Sequence, residues 1–252
     1  AVFGSTVTIT GTNFSNATAV KQGTTSASSF TVVNSTTITF TVNAASGSTY
    51  AISVTTAGGT ATSSTNLTVT PEVPTISNAG QPASQTVGVG TSVIFTVVIG
   101  SLSETGTVLS YQWNKGSNNI SGATSSSYTI SSPTVADAGD YSVTISNTSS
   151  NTTAVAFLAS NAATLTMNTA NTTASFNAST TTPTFGTAVT LTATVTTGAT
   201  GTVTFKDSSN NTLCITGSLS SGSANCSWTP SGAGDFVVRA IYEGDVNYAT
   251  ST

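Results

Sequence analysis

The side chains able to do chemistry in this chain are few and far apart. Two carboxylate pairs stand close in sequence, Asp137 with Asp140 and Glu243 with Asp245. Such a pair supports general acid–base work, or grips a divalent cation, when a cleft turns both groups onto one target. Asp137 and Asp140 flank a glycine ahead of an alternating run, which also reads as turn chemistry at a strand start. Neither pair has obvious help, because the 252 residues include no histidine, eight carboxylates and four lysines or arginines. Cys214 and Cys226 flank the turn signal Ser220-Ser221-Gly222-Ser223. Neighbouring strands can bring two such Cα atoms within about 6 Å, so a cross-strand disulfide is expected, and with it an oxidising compartment. Zinc needs four ligands, which two cysteines without histidine do not supply. Trp228 follows Cys226 by two residues and shares its face of a strand, where it serves the core or stacks on a sugar. Lys21, Lys115 and Lys206 are either solvated or partners for isopeptide links to asparagine. No catalytic residue, cofactor ligand or metal ligand is assigned, and the chain is read as a non-enzyme.

The elements that must position these groups are strands. Threonine, serine, valine and asparagine alternate in short runs separated by glycine, the pattern of half-buried β-strands. Charged residues make up 5% of the chain and the formal net charge is −4. Four scattered cations neutralise no track of phosphates, so nucleic acid is excluded as a partner. No apolar run approaches the roughly 20 residues of a spanning helix, so membrane insertion within this segment is excluded too. Low charge weakens the repulsion that keeps proteins apart, which makes association with like subunits expected, with weak dependence on pH and salt.

Residues 1–71 carry five alternating runs, at 6–10, 30–33, 37–42, 50–54 and 66–70. Gly4-x-x-Val7-Thr8-Ile9-Thr10-Gly11-Thr12-Asn13-Phe14 and the closing Val54-Thr55-Thr56-Ala57-Gly58-Gly59-Thr60 resemble the IPT/TIG immunoglobulin-like domain. In bacterial surface proteins that family acts mainly as a spacer, and the resemblance brings no catalytic residue. Pro71-Glu72-Val73-Pro74 fixes two φ angles and removes two donors, so a stiff joint is expected there.

Residues 72–167 contain runs at 92–97, 109–113 and 127–130 and the segment Asp137-Ala138-Gly139-Asp140-Tyr141-Ser142-Val143. This is similar to an immunoglobulin domain of the intermediate type. The resemblance makes Trp113 the tryptophan at the sandwich centre and Tyr141 the tyrosine-corner residue. It puts Val97 and Val143 where the inter-sheet cysteines usually stand, so apolar contact replaces that disulfide.

Residues 168–252 contain Gly201-Thr202-Val203-Thr204-Phe205-Lys206-Asp207 and Ala240-Ile241-Tyr242-Glu243-Gly244-Asp245-Val246-Asn247-Tyr248, resembling the bacterial Ig-like repeat. In that family Glu243-Gly244-Asp245 closes a turn. By comparison with the two outer families, the first sandwich lacks its first strand and the third its last. Strands from flanking sequence or from a neighbouring subunit would complete them.

The expected fold class is all-β, three tandem immunoglobulin-like β-sandwiches strung like beads. The expected function is a structural segment of an extracellular or cell-surface fibre, stalk or filament, bacterial in origin, joined end to end with like subunits or flanking Ig-like domains. Alternatives are an adhesin or module that binds surface glycans through Trp228, or a non-catalytic spacer of a secreted enzyme or phage virion protein. Asn-x-Ser/Thr sequons, among them Asn13, Asn66 and Asn151, arise by chance in so hydroxyl-rich a chain and are expected to be mostly bare.

Overall fold

A computed structural model describes residues 1–150 and 152–252; the sequon at Asn151 lies outside the described residues. The architecture is all-β, with three immunoglobulin-like sandwiches in tandem. Among the described residues no helix is long and apolar enough to cross a membrane. The chain divides into two compact units, one of residues 1–84, 94–129 and 139–164, the other of residues 85–93, 130–138 and 165–252.

In the first unit, Thr6–Thr10, Thr37–Thr41 and Phe30–Asn34 form one sheet, with Thr37–Thr41 in the middle. A second sheet orders Thr25–Ser26, Ala19–Gln22, Thr49–Thr56 and Gly59–Thr68. Period two explains the packing: in Thr37–Thr41 the threonines lean outward while Ile38 and Phe40 are buried, each large apolar side chain contributing about 1.5–3 kcal/mol. Val20, Ile52, Val54 and Val69 complete this core. Three strands differ from the sequence reading, the two-residue Thr25–Ser26 among them. Ala19–Gln22 was not expected, because Gln22 breaks the apolar alternation, yet it is wholly buried. Its amide donates to Asn43 Oδ1 at 2.6 Å and accepts from the Asn43 and Ala44 N–H groups, so the cost of burying it is offset. Gly59–Thr68 begins well before the expected run at 66–70; its side chains are almost all exposed, so no apolar period marks it.

The first unit also holds Thr107–Lys115, flanked by Asn118–Asn119 and Gly139–Ser149, with Val155–Ala159 on the latter. Trp113 and Val143 face each other in register. The inward face of Gly139–Ser149 runs Tyr141, Val143, Ile145, Asn147, Ser149, turning from apolar to polar along its length.

In the second unit, Gln85–Gly88 pairs in parallel with Ala163–Asn168 through Leu165 to Asn168. Ala174–Ala178, Val189–Val195 and Ser223–Trp228 make one sheet of the carboxy-terminal sandwich, and Thr212–Ile215, Val203–Lys206 and Arg239–Tyr242 the other. Leu191, Val195, Val203, Phe205 and Tyr242 fill the space between them. The strand that leads into the Tyr242-Glu243-Gly244-Asp245 turn starts at Arg239. Phe236 turns edge-on to Trp228, with ring centroids 5.1 Å apart.

Candidate functional site

The most elaborate polar arrangement lies in the first unit, around the Pro71-Pro74 segment. Glu104 is 7% exposed. Its Oε1 accepts from the Ser46 N–H and its Oε2 from the Glu72 N–H, both at 2.9 Å. Glu72 reciprocates: its Oε2 accepts from the Ser103 N–H at 2.8 Å, the Ser103 hydroxyl at 2.9 Å and the Glu104 N–H at 3.0 Å. The Asn147 amide donates to the Glu72 carbonyl at 2.9 Å, and the Ser149 hydroxyl to the Ser46 carbonyl at 3.0 Å. Two carboxylates thus clasp each other's backbone, and each of these bonds has an ionised acceptor where it ends on a carboxylate. Gly47 sits in the same clasp at φ +80°, and a Cβ there would collide with Thr152 Oγ1, so glycine is required on two counts. This set of residues does positioning: three of its carboxylate oxygens accept from backbone donors, and it ties together the chain around residues 46, 72, 104 and 147.

The residues singled out from sequence fall into separate environments. Trp113 is fully buried and its indole N–H donates to the Ser125 carbonyl at 2.9 Å. Tyr141, 2% exposed, stacks on Phe95 at 4.8 Å, and Phe95 lies 6.2 Å from Trp113. Val97 and Val143 are both buried. Phe95, a residue that sequence reading did not single out, links the tryptophan to the tyrosine on one side, and Tyr128, 6.3 Å from Trp113 and 6.1 Å from Tyr141, links them on another. The Lys115 ammonium stands 5.8 Å from the Tyr141 ring centroid, and Lys21 is exposed.

One member of each carboxylate pair, Asp137 and Asp245, holds a turn. Asp137 Oδ2 accepts from the Thr134 N–H at 2.8 Å and its hydroxyl at 3.0 Å, a capping box on the short 3-10 helix Val135–Asp137. Asp140 instead accepts from the Thr164 hydroxyl at 2.7 Å. Asp245 accepts from the Thr200 N–H and hydroxyl, each at 2.7 Å, and from the Asn247 and Tyr248 N–H groups at 2.8 and 2.9 Å. Burial pushes this carboxyl upward, but the donors from Thr200 and Asn247 outweigh it and hold the pKa at about 2. Burial, and then the adjacent Asp245, push the Tyr242 hydroxyl up to about 12. Among the described residues no three of His, Cys, Asp and Glu group as a metal would need.

Cys214 and Cys226 are bonded, with Cα atoms 6.1 Å apart. The bridge joins Thr212–Ile215 to Ser223–Trp228, strands that follow one another in the chain and lie in different sheets. The loop around Gly222 carries the chain from one sheet to the other, so the covalent tie spans the sandwich.

Trp228 shares its face with Cys226 and Ala224 and is half-buried against the core. It also lines a cleft of about 540 Å³ with Phe176, Phe185, Pro230, Phe236 and Val238. Thr180, Thr181, Thr182 and Asp235 supply its polar rim.

Comparison with known proteins assigns the two ends. Residues 1–71 match the IPT/TIG domain, and residues 175–252 match the bacterial Ig-like domain (group 3). No curated protein matches the chain in sequence. An I-band fragment of titin is 14% identical, covering 100% of this chain and 93% of that one with a TM-score of 0.37. Fibronectin(III)-like modules of Clostridium thermocellum CbhA are 15% identical over 71% of this chain and 90% of theirs, TM-score 0.29. Tandem Ig repeats of Dlar are 15% identical over 66% and 91%, TM-score 0.31.

Proposed function

We propose that this chain is a structural segment of an extracellular or cell-surface fibre, stalk or filament, in which sandwiches at 1–71, 72–167 and 168–252 set length and join end to end with like subunits or flanking Ig-like domains. The observation that carries the reading is the Glu72–Glu104 clasp. A chain in which two carboxylates fasten loops around a Pro-flanked joint is built to hold a geometry, and Asp137, Asp207 and Asp245 each hold a turn. The family matches at both ends support it, since both are Ig-like modules of the kind used in series. The Cys214–Cys226 bond supports a location outside the reducing cytoplasm. Catalysis has no part in the proposal. Electron microscopy of purified material tests it: fibres of constant width are expected, and compact, monodisperse monomers at high concentration count against it.

A second reading, glycan binding, rests on one observation, the aromatic and hydroxyl lining of the Trp228 cleft. It ranks lower because Trp228 is packed against the core and edge-on to Phe236, leaving little open ring face for a sugar. A glycan array on the native chain and on Trp228→Ala decides it; a signal that survives the substitution, or none at all, removes the reading.

A further inference from the structure

The clasp beside the Pro71-Pro74 segment closes on itself. Ser46 is bonded to Glu104, Glu104 to Glu72 and Glu72 to Asn147; Ser149, next on the same inward face as Asn147, returns to the Ser46 carbonyl. Two buried polar atoms on this ring have no partner. Ser46 is 2% exposed and its Oγ makes no hydrogen bond; Asn147 is wholly buried and its Oδ1 makes none. Each is carried by a group bonded into the clasp. Oδ1 shares the Asn147 amide with the nitrogen on the Glu72 carbonyl, and Oγ belongs to the residue whose N–H meets Glu104 Oε1. Buried polar atoms are almost always paired, so two orphans on one ring point to a ligand.

Charge decides what kind. Glu72 and Glu104 accept only from backbone N–H groups and the Ser103 hydroxyl. Among the described residues the ring therefore holds two carboxylates and no cationic side chain. Neutral donors stabilise these charges without cancelling them, and a largely buried pair of like charges calls for a counter-ion. Glu72 Oε2 takes all three of its donors, which leaves Oε1 open to a ligand. Carboxylate, hydroxyl and amide oxygens are hard donors, the set that suits calcium, which takes about 6–8 oxygens in flexible geometry and fills its shell with water. A water molecule would also pair the two orphans but would leave both charges uncancelled. We propose that Ser46 Oγ, Asn147 Oδ1, Glu72 Oε1 and a Glu104 oxygen hold a calcium ion that locks the Pro71-Pro74 joint. With only two acids, its affinity falls in the range of extracellular calcium modules, Kd about 10⁻⁴–10⁻³ M. The inference goes beyond the fibre reading and does not depend on it.

The test titrates calcium chloride into the chelator-treated full chain and follows heat and native-state hydrogen exchange. Saturable binding at one site per chain is expected, with exchange of the Ser46 and Glu72 amides slowed at least about tenfold at saturation. Ser46→Ala removes an oxygen that has no protein partner and leaves the Ser46 N–H and carbonyl bonds in place. In chelator it is expected to melt no lower than the native chain, yet to bind calcium at least about tenfold more weakly. Glu72→Gln can keep Oε2 and its three donors while an NH2 group replaces Oε1, and the same weakening is expected. Should either variant not fold, the titration and the amide exchange of the native chain still decide. No saturable binding, amide exchange unmoved by calcium, or equal affinity in the native chain and both variants overturns the proposal. So does a Ser46→Ala variant that melts lower in chelator while the native chain ignores calcium, the mark of a bound water. Calcium binding by a chain that stays monomeric leaves this inference standing and counts against the fibre reading; fibres without calcium binding do the reverse.

Discussion

Replacing either clasp carboxylate by its amide tests the joint without altering shape. Glu104 uses both oxygens, one for Ser46 N–H and one for Glu72 N–H. In Glu104→Gln one of those oxygens becomes an NH2 group facing a backbone donor, which leaves a buried N–H unpaired at about 1–3 kcal/mol. The surviving bond loses its ionised acceptor, a further loss of about 1 kcal/mol. The expected cost is therefore about 2–4 kcal/mol. Glu72 differs, because its three donors all converge on Oε2. A glutamine there can keep its oxygen in that position and satisfy all three, losing only charge assistance, about 1 kcal/mol. Urea unfolding followed by the fluorescence of Trp113 reads the effect on the neighbouring core, with native-state hydrogen exchange at Ser46 and Glu72 as a local measure. Glu104→Gln should also accelerate exchange at both amides, and Glu72→Gln at neither. Equal destabilisation by the two substitutions, or a Glu104→Gln variant with unchanged Ser46 and Glu72 exchange, would refute the geometric argument.

Other outcomes follow from the same geometry. Cys214 and Cys226 are separated by 12 residues, so a chain-entropy estimate gives about 3 kcal/mol for the bridge; Cys214→Ala with Cys226→Ala should lower the unfolding transition reported by Trp228 and leave that of Trp113 in place. Asp245, held at about 2 against an ordinary 3.8, stabilises its sandwich above about pH 4 and loses that contribution as pH falls through 2, at most about 2 kcal/mol after solvent screening. Acid titration of stability should show that loss in the native chain, and Asp245→Asn should abolish it. Gly47→Ala combines positive-φ strain with a clash against Thr152 and should cost about 2 kcal/mol or more in thermal unfolding, against under 0.5 kcal/mol for the open, exposed Gly58.

Strands with strict alternation were legible from sequence, as Thr6–Thr10 and Thr37–Thr41 show, because one apolar face against one hydroxyl face is itself the physical cause of the element. Ala19–Gln22 and most of Gly59–Thr68 were not, since the first buries an amide and the second buries almost nothing; tertiary hydrogen bonds define both. Trp113 and Tyr141 could be read from their motif, whereas Phe95 acquires its role only when its strand brings it against the tyrosine ring. The clasp was hidden for a different reason. Glu72 and Glu104 are 32 residues apart, and no local pattern couples them. One signal did lie in the chain: the in-phase positions of Gly139–Ser149 turn from Tyr141, Val143 and Ile145 to Asn147 and Ser149, and buried polar residues in core phase point to a polar junction.

The disulfide between the two sheets of the last sandwich has a mechanical corollary. When a polypeptide is drawn out from its ends, each unravelling module releases the contour of its own residues, up to about 3.5 Å apiece. The segment between Cys214 and Cys226 is short-circuited by the covalent tie, so its 12 steps withhold roughly 40 Å of extension. Pulled in oxidising surroundings, this module yields a shorter tether than its residue count implies, and chemical reduction hands that hidden slack back.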